Sequence, residues 1–469
     1  MSDARLYEQL RKQAARKAAR FHMPGHKGRP VLPELNFPFP IDYTEIEGTG
    51  NLYEGDEPIL SAERDAARYY GARDCLFLTG GSTQALMTAI GAAVPEGGTL
   101  ILDRNCHKSV THAMALLDLT PVFVVPEPLD GMPGLLDAQD VEHALRQNPQ
   151  ASAVLVTSPN YYGILQNIPQ LAEICHTHGV PLLVDAAHGA HCKAVGLPSP
   201  IEQGADLAAV STHKTLPAWG QSAILLSSGR IPFDTLLETA PLFGTSSPSY
   251  LLLASIDLAR AWLEGDGAQA YAQCAARVQA LRREIAQVTA FDTLTEEKAP
   301  LDPCRLTIRC TNTNVTGQEL SAILHEDFAI DAEMADANYL VCICTGADTE
   351  RDYARLMGAL RDKRFCAVSK PHRQPLPFPE PERVCSVRKA WFGAKTTVPL
   401  RHSAGKICAR PITPYPPGVP LVYPGERIRQ VHIEFLRDGW YTDTASICVM
   451  DGDFEERRNR HDVCQFAGK

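Results

Sequence analysis

Ser211-Thr212-His213-Lys214-Thr215 closes the apolar run Ala205-Asp206-Leu207-Ala208-Ala209-Val210. Beginning 26 residues before Ser211, Asp185-Ala186-Ala187-His188-Gly189-Ala190-His191 closes a second such run, Val180-Pro181-Leu182-Leu183-Val184. Short, continuous apolar runs bounded by polar residues predict strands buried on both faces, as in a parallel sheet. The first strand then delivers Asp185 at its carboxyl end, and the second delivers Ser211, His213 and Lys214. In open α/β sheets that edge is where ligands bind.

Further runs of this kind lie on either side. Asp74-Cys75-Leu76-Phe77-Leu78, Thr99-Leu100-Ile101-Leu102, Val122-Phe123-Val124-Val125 and Ala153-Val154-Leu155-Val156 alternate with helical patterns between about residues 60 and 230. This predicts an α/β fold with a mainly parallel sheet covered on both faces. A helical tract over about 250–290 leads to a smaller α+β pattern, with strands at Cys304–Ile308 and Tyr339–Ile343 and a helix from Gly317 to His325. Four more prolines follow Lys370-Pro371, the last of them Pro381, and the stretch reads as a linker. The expected division is an N-terminal helix and arm (1–30), a large cofactor-binding domain (31–290), a small α+β domain (291–370), and a C-terminal domain with a charged tail (371–469). Short free-standing helices such as the one expected within residues 1–20 pack on another subunit or fray.

A lysine and a carboxylate on neighbouring strand tips are what pyridoxal 5'-phosphate requires. The lysine forms a Schiff base, and the carboxylate keeps the pyridine nitrogen protonated so that the ring accepts electrons. Leu78-Thr79-Gly80-Gly81-Ser82-Thr83-Gln84 follows a strand and opens a helix over 85–92. Gly81 lets the backbone approach an anion, Ser82 and Thr83 add hydroxyls, and the helix N-terminus supplies N–H groups for a phosphate. His107, in Asn105-Cys106-His107-Lys108-Ser109, lies after another strand, placed to stack on the ring and handle a proton.

A net charge of −10 argues against nucleic acid as a partner and accords with a cationic substrate. The 14 cysteines show no CxxC pairing and read as reduced thiols. With neither a signal-peptide pattern nor an apolar run of about 18 residues, the expectation is a cytoplasmic protein without a membrane partner or metal.

At the level of motifs the chain resembles the ornithine/lysine/arginine decarboxylase family of fold-type-I pyridoxal phosphate enzymes, in its short bacterial form. The resemblance rests on FHMPGHKG (21–28), LTGGSTQA (78–85), DRNCHKS (103–109), SPNYYGI (158–164), DAAHGAH (185–191), STHKTLP (211–217), TSSPSY (245–250) and PYPPGVPLVYPGE (414–426). It implies an aspartate-aminotransferase-like fold, with Lys214 as the Schiff-base lysine and Asp185 paired to the pyridine nitrogen. It puts His107 and Ala187 on opposite faces of the ring, with His188 beside the cofactor. Ser82, Thr83, Ser211 and His213 would hold the phosphate. Thr245 and Ser246 would reach a neighbouring subunit's phosphate, making the active site shared and the protein at least a homodimer; a turn before Pro248 is the alternative reading. Short-form members commonly read Asp-Glu-Ala-His where this chain has Asp185-Ala186-Ala187-His188, so a carboxylate is expected to be missing beside the cofactor. Only about 20 residues precede FHMPGHKG, so the large rings built by the extra domain of the long inducible enzymes are not expected.

The implied reaction removes the α-carboxylate of a basic amino acid, with His107 or Lys214 returning a proton to Cα. Arginine to agmatine comes first, with lysine and ornithine behind it, in polyamine biosynthesis. The same lysine and aspartate would also serve an aminotransferase or lyase, and a non-catalytic relative would keep the cofactor as a scaffold. The acidic, aromatic segment from Asp42 to Glu57 is either the counter-charge for the substrate side chain or a solvated loop.

Overall fold

The computed structural model describes residues 4–30, 37–368, 382–414, 418–437 and 441–451. The linker 370–381, Tyr415 to Pro417 and the tail beyond Asp451 lie outside the described residues.

Seven strands form the main sheet: β1 (Asp74–Leu78), β2 (Thr99–Asp103), β3 (Thr120–Val124), β4 (Ala151–Thr157), β5 (Leu182–Asp185), β6 (Leu207–Val210) and β7 (Ala223–Ser227). Their order is β1-β7-β6-β5-β4-β2-β3. Only β7 pairs antiparallel with its neighbours, while β6-β5-β4-β2-β3 are parallel throughout. All residues of β2, β5, β6 and β7 are buried, which is why these strands read as unbroken apolar runs. The two-residue period divides them between two cores. Val154, Val156, Leu182, Val184 and Ala208 face one, and Ala153, Leu155, Leu183, Leu207 and Ala209 face the other.

Among the helices, α1 (Arg5–Ala15), α2 (Gly81–Ala93), α3 (Lys108–Leu116), α4 (Thr212–Thr215), α5 (Tyr250–Leu263), α6 (Asp266–Val288) and α7 (Gly317–Phe328) carry the argument. α2 starts four residues before the expected 85, because Gly81 takes a positive φ of 69° and so joins the helix directly to the strand-end turn. The N-terminal helix corrects an expectation. It packs on α5 of its own chain, with Leu6 and Leu10 fully buried and the Leu6 N–H donating to Asp257 Oδ2 at 2.9 Å. A carboxylate receiving the orphan N–H groups of the first turn anchors the helix to its own chain.

The second module is a four-stranded antiparallel sheet, β8 (Asp292–Thr293), β9 (Arg305–Arg309), β10 (Met334–Ala335) and β11 (Tyr339–Ile343), ordered β8-β9-β11-β10. α7 covers it and begins at a capping box: Glu319 N–H donates to Thr316 Oγ1 and Thr316 N–H donates to Glu319 Oε2. Leu306, Ile308, Leu320 and Leu340 join the same core as Val154 and Val184, so the module is packed onto the main sheet.

The C-terminal region pairs β12 (Lys395–Pro399) with β13 (Ser446–Met450) over a small core including Leu400, Val422, Ile433 and Val449. It is fastened by a buried bidentate pair: Arg104, just past β2, donates to Glu426 Oε1 at 2.6 Å and to Oε2 at 2.9 Å. The guanidinium is sandwiched between Phe123 and Tyr423, 4.4 and 4.6 Å from their centroids. Removing one partner of such a pair strands the other charge in a dry site. Glu426→Ala is therefore expected to destabilise the fold by about 3–5 kcal/mol in denaturant titrations. A loss under 1 kcal/mol would mean that the C-terminal region is held by other contacts.

Candidate active site

β5 ends at Asp185 and β6 leads into the single turn α4, which carries Lys214. Parallel pairing of β5 with β6 brings the two tips side by side. They line one pocket with Ser82, Asn105, His107, Thr157, Tyr161, Ala187, His188 and Val419. Its floor is the carboxyl edge of the sheet. Val419 comes from the C-terminal region, where Gly418 O accepts from Lys108 N–H at 3.4 Å, so that region closes the pocket over the edge.

Burial raises the Asp185 carboxyl above the usual range, opposed by the Lys214 charge and by the Ala187 N–H, which donates to Oδ1 at 3.1 Å. Burial also lowers Lys214, against the pull of Asp185 and Glu333. His107 caps α3: the Ser109 N–H donates to its Nδ1 at 3.2 Å. Burial, then the charges of Lys214 and Lys108, bring its imidazole down to about 4, so it is neutral near pH 7. The His188 Nε2 lies 3.2 Å from Lys214 Nζ, and its ring centroid lies 4.5 Å from that of Tyr161.

The structure thus gathers Lys214, Asp185, His107, Ser82, Ala187 and His188 in one place. Gly81 opens α2 beside them, its N–H donating to Gln221 O at 2.7 Å. Ser211 and His213 flank Lys214 without lining the pocket. The Ser211 Oγ is buried with no partner among the described residues, and His213 Nδ1 bonds to Ser222 O at 2.8 Å. Thr83 is exposed on the first turn of α2. Thr245 and Ser246 are exposed and outside this protomer's pocket.

Two expectations are corrected. Ala186 does not vacate a place beside the cofactor. The two-residue period turns it to the opposite face from Asp185 and Ala187, where it is buried against Gly189 and lines a separate cavity with Cys192 and Gln203. The acidic loop likewise does not enter this protomer's pocket. It lines a different surface groove, and its carboxylates are engaged locally, Asp42 with His26, Asp56 with the Asn51 N–H and Glu57 with Arg64. Charge in a sequence says nothing of where the loop carrying it will lie.

Sequence reasoning missed Tyr161, Val419 and Arg305. Tyr161 sits in the quoted SPNYYGI segment; an arginine opening the apolar strand β9 is the sole signal for Arg305.

Residues 4–295 match the family profile described as Orn/Lys/Arg decarboxylase, major domain, and residues 377–439 match its C-terminal domain. The chain belongs to the ornithine/lysine/arginine decarboxylase family. Among relatives of this decarboxylase family, the arginine decarboxylase of Bacillus subtilis is 32% identical over 453 residues, covering 92% of each chain. In structure, the Francisella novicida lysine decarboxylase aligns with TM-score 0.81 at 21% identity, over 96% of this chain and 81% of that one. The alanine–glyoxylate aminotransferase from Nostoc aligns with TM-score 0.54 at 16% identity, over 65% of this chain and 85% of that one. The decarboxylase therefore has the fold-type-I α/β architecture, and its third, C-terminal region is a family feature. The site suits pyridoxal phosphate on its own geometry. An amine and a carboxylate meet across a pocket walled by a neutral imidazole, with a helix N-terminus and the unpartnered Ser211 hydroxyl at its margin.

Proposed function

We propose that the protein is a pyridoxal-phosphate-dependent decarboxylase of a basic L-amino acid, L-arginine before lysine or ornithine, forming agmatine and carbon dioxide. The observation that carries this reading is the convergence of Lys214, Asp185 and His107 on one pocket at the sheet edge. The name of the Bacillus subtilis relative favours arginine. When bound, pyridoxal phosphate supplies a carbonyl that condenses with an amine and a ring that accepts the electron pair left by carbon dioxide.

The residues divide the work. Lys214 would hold the cofactor through its side-chain amine. Asp185 would keep the ring nitrogen of such a cofactor protonated by its charge, which the dry surroundings strengthen. His107, kept neutral, presents a flat uncharged face, and the small Ala187 leaves room on the other side. The first turn of α2, with Gly81, Ser82 and Thr83, takes the phosphate together with Ser211 and His213. Val419 and Tyr161 keep water from the reacting carbon. Lys214 and His107 share the pocket and are the groups to return a proton to Cα. The purified protein with pyridoxal phosphate should convert arginine to agmatine faster than it acts on lysine or ornithine. Inertness toward all three would refute the substrate class. Glu333 is, after Asp185, the next carboxylate whose charge acts on Lys214. Because Glu333 is exposed, Glu333→Gln should raise KM for arginine by only about 2- to 5-fold, with kcat little changed.

The same reading makes the protein a homodimer with a shared site, working in cytoplasmic polyamine synthesis. The described cysteines are all free thiols. Thr245 and Ser246 follow Leu242, an apolar side chain 76% exposed, and Phe21 is 94% exposed, so both lie near surfaces suited to a second copy. Thr245→Ala is expected to weaken cofactor binding by about 10-fold through a lost bond to a charged phosphate, read by cofactor titration. A fully active 51.2 kDa monomer in sedimentation would refute the shared site.

A further inference from the structure

Arg305 opens β9 in the small sheet, yet its side chain is almost wholly buried beside the pocket. Its Nη2 donates to His188 Nδ1 at 3.2 Å and lies 3.8 Å from Asp302 Oδ2. Asp302 is itself held by His191 Nε2 at 2.8 Å and by the Cys304 N–H at 2.8 Å. Arg282 braces the same turn by donating to the carbonyls of Asp302 and Arg305 at 3.0 and 2.8 Å. Arg305 is thus a guanidinium fixed in place, aimed at one ring nitrogen of His188.

A guanidinium is a donor only. Nδ1 of His188 must therefore accept, and a neutral imidazole whose Nδ1 accepts carries its proton on Nε2. That Nε2–H points at Lys214 Nζ, 3.2 Å away. An ammonium there would set two N–H groups against each other, whereas a neutral amine offers a lone pair. We propose that Arg305 is a positioning residue that fixes the His188 tautomer and thereby holds Lys214 as a neutral amine, ready to condense with a carbonyl.

The inference rests on the assignment of Lys214 as the cofactor lysine. The charged groups acting on Lys214 are Asp185 and Glu333, which favour the ammonium, and Arg305, which opposes it; the imidazoles of His188 and His107, which share the pocket, are both lowered by burial and by the Lys214 charge. Burial lowers His188 far below its ordinary range, ahead of Lys214 and Arg305, so an imidazolium does not compete.

The test is made on the full chain freed of cofactor, by competitive labelling of amines with isotopic acetic anhydride across pH, read peptide by peptide. In the wild type, the Lys214 midpoint should fall below that of the other lysines in the same digest; a midpoint equal to theirs overturns the proposal. Arg305→Met should move the Lys214 midpoint up by about one pH unit, a tenfold loss of labelling well below the midpoint. Arg305→Lys, which keeps a charged donor, should recover most of it. In a His188→Leu background the effect of Arg305→Met should largely vanish. An equal shift in both backgrounds would mean that Arg305 acts by its field alone, and no shift with a raised KM would make it a substrate-binding group; either result overturns the relay. If Arg305→Met does not fold, the wild-type midpoint and Arg305→Lys still decide. Separately, added pyridoxal phosphate is reduced with borohydride and the modified peptide located. Label on another lysine would refute the parent assignment and with it the readiness of Lys214 to condense, whereas the labelling midpoints test the tautomer relay separately.

Discussion

Lys214→Ala is expected to lower turnover by about 10⁴-fold or more and to remove the visible absorption of the cofactor-loaded protein. The loss combines the covalent anchor with a proton-handling group, each of which contributes orders of magnitude. Among the described residues no other lysine lines the pocket, and α4 holds this one at the tip of a buried strand. Borohydride reduction followed by peptide mapping checks the point. A variant that still traps the cofactor covalently at full occupancy would show that another amine does the work.

Asp185→Asn is expected to cost about 10²–10³-fold in kcat while leaving much of the cofactor binding. The amide keeps the shape and can still meet the Ala187 N–H, but it has no charge with which to hold a ring nitrogen protonated. The loss is large because the carboxylate is buried, where solvent screens little of its field. Turnover within a few-fold of wild type would remove Asp185 from this role.

Both residues are legible in the amino-acid sequence, for a local reason. An apolar run that ends in a polar residue marks a strand tip, and two such tips in adjacent parallel strands must be neighbours. The family resemblance in the motifs is borne out over the major and C-terminal domains. Direction and address are less legible. A carboxylate missing beside the cofactor presupposes that position 186 faces it, although the same two-residue period that aims Asp185 inward turns Ala186 away. A substrate clamp in the acidic loop follows from charge alone, and the loop lines a separate groove.

The sequence by itself determined the strands, the order of the sheet-edge residues, and the pairing of a lysine with a carboxylate, because these follow from near-neighbour periodicity. The tertiary structure alone decided what joins them. Arg305 meets His188 across 117 positions, and Arg104 meets Glu426 across 322. Such contacts leave no local pattern: a buried charge is tolerable only where its partner arrives, and chain folding sets that arrival.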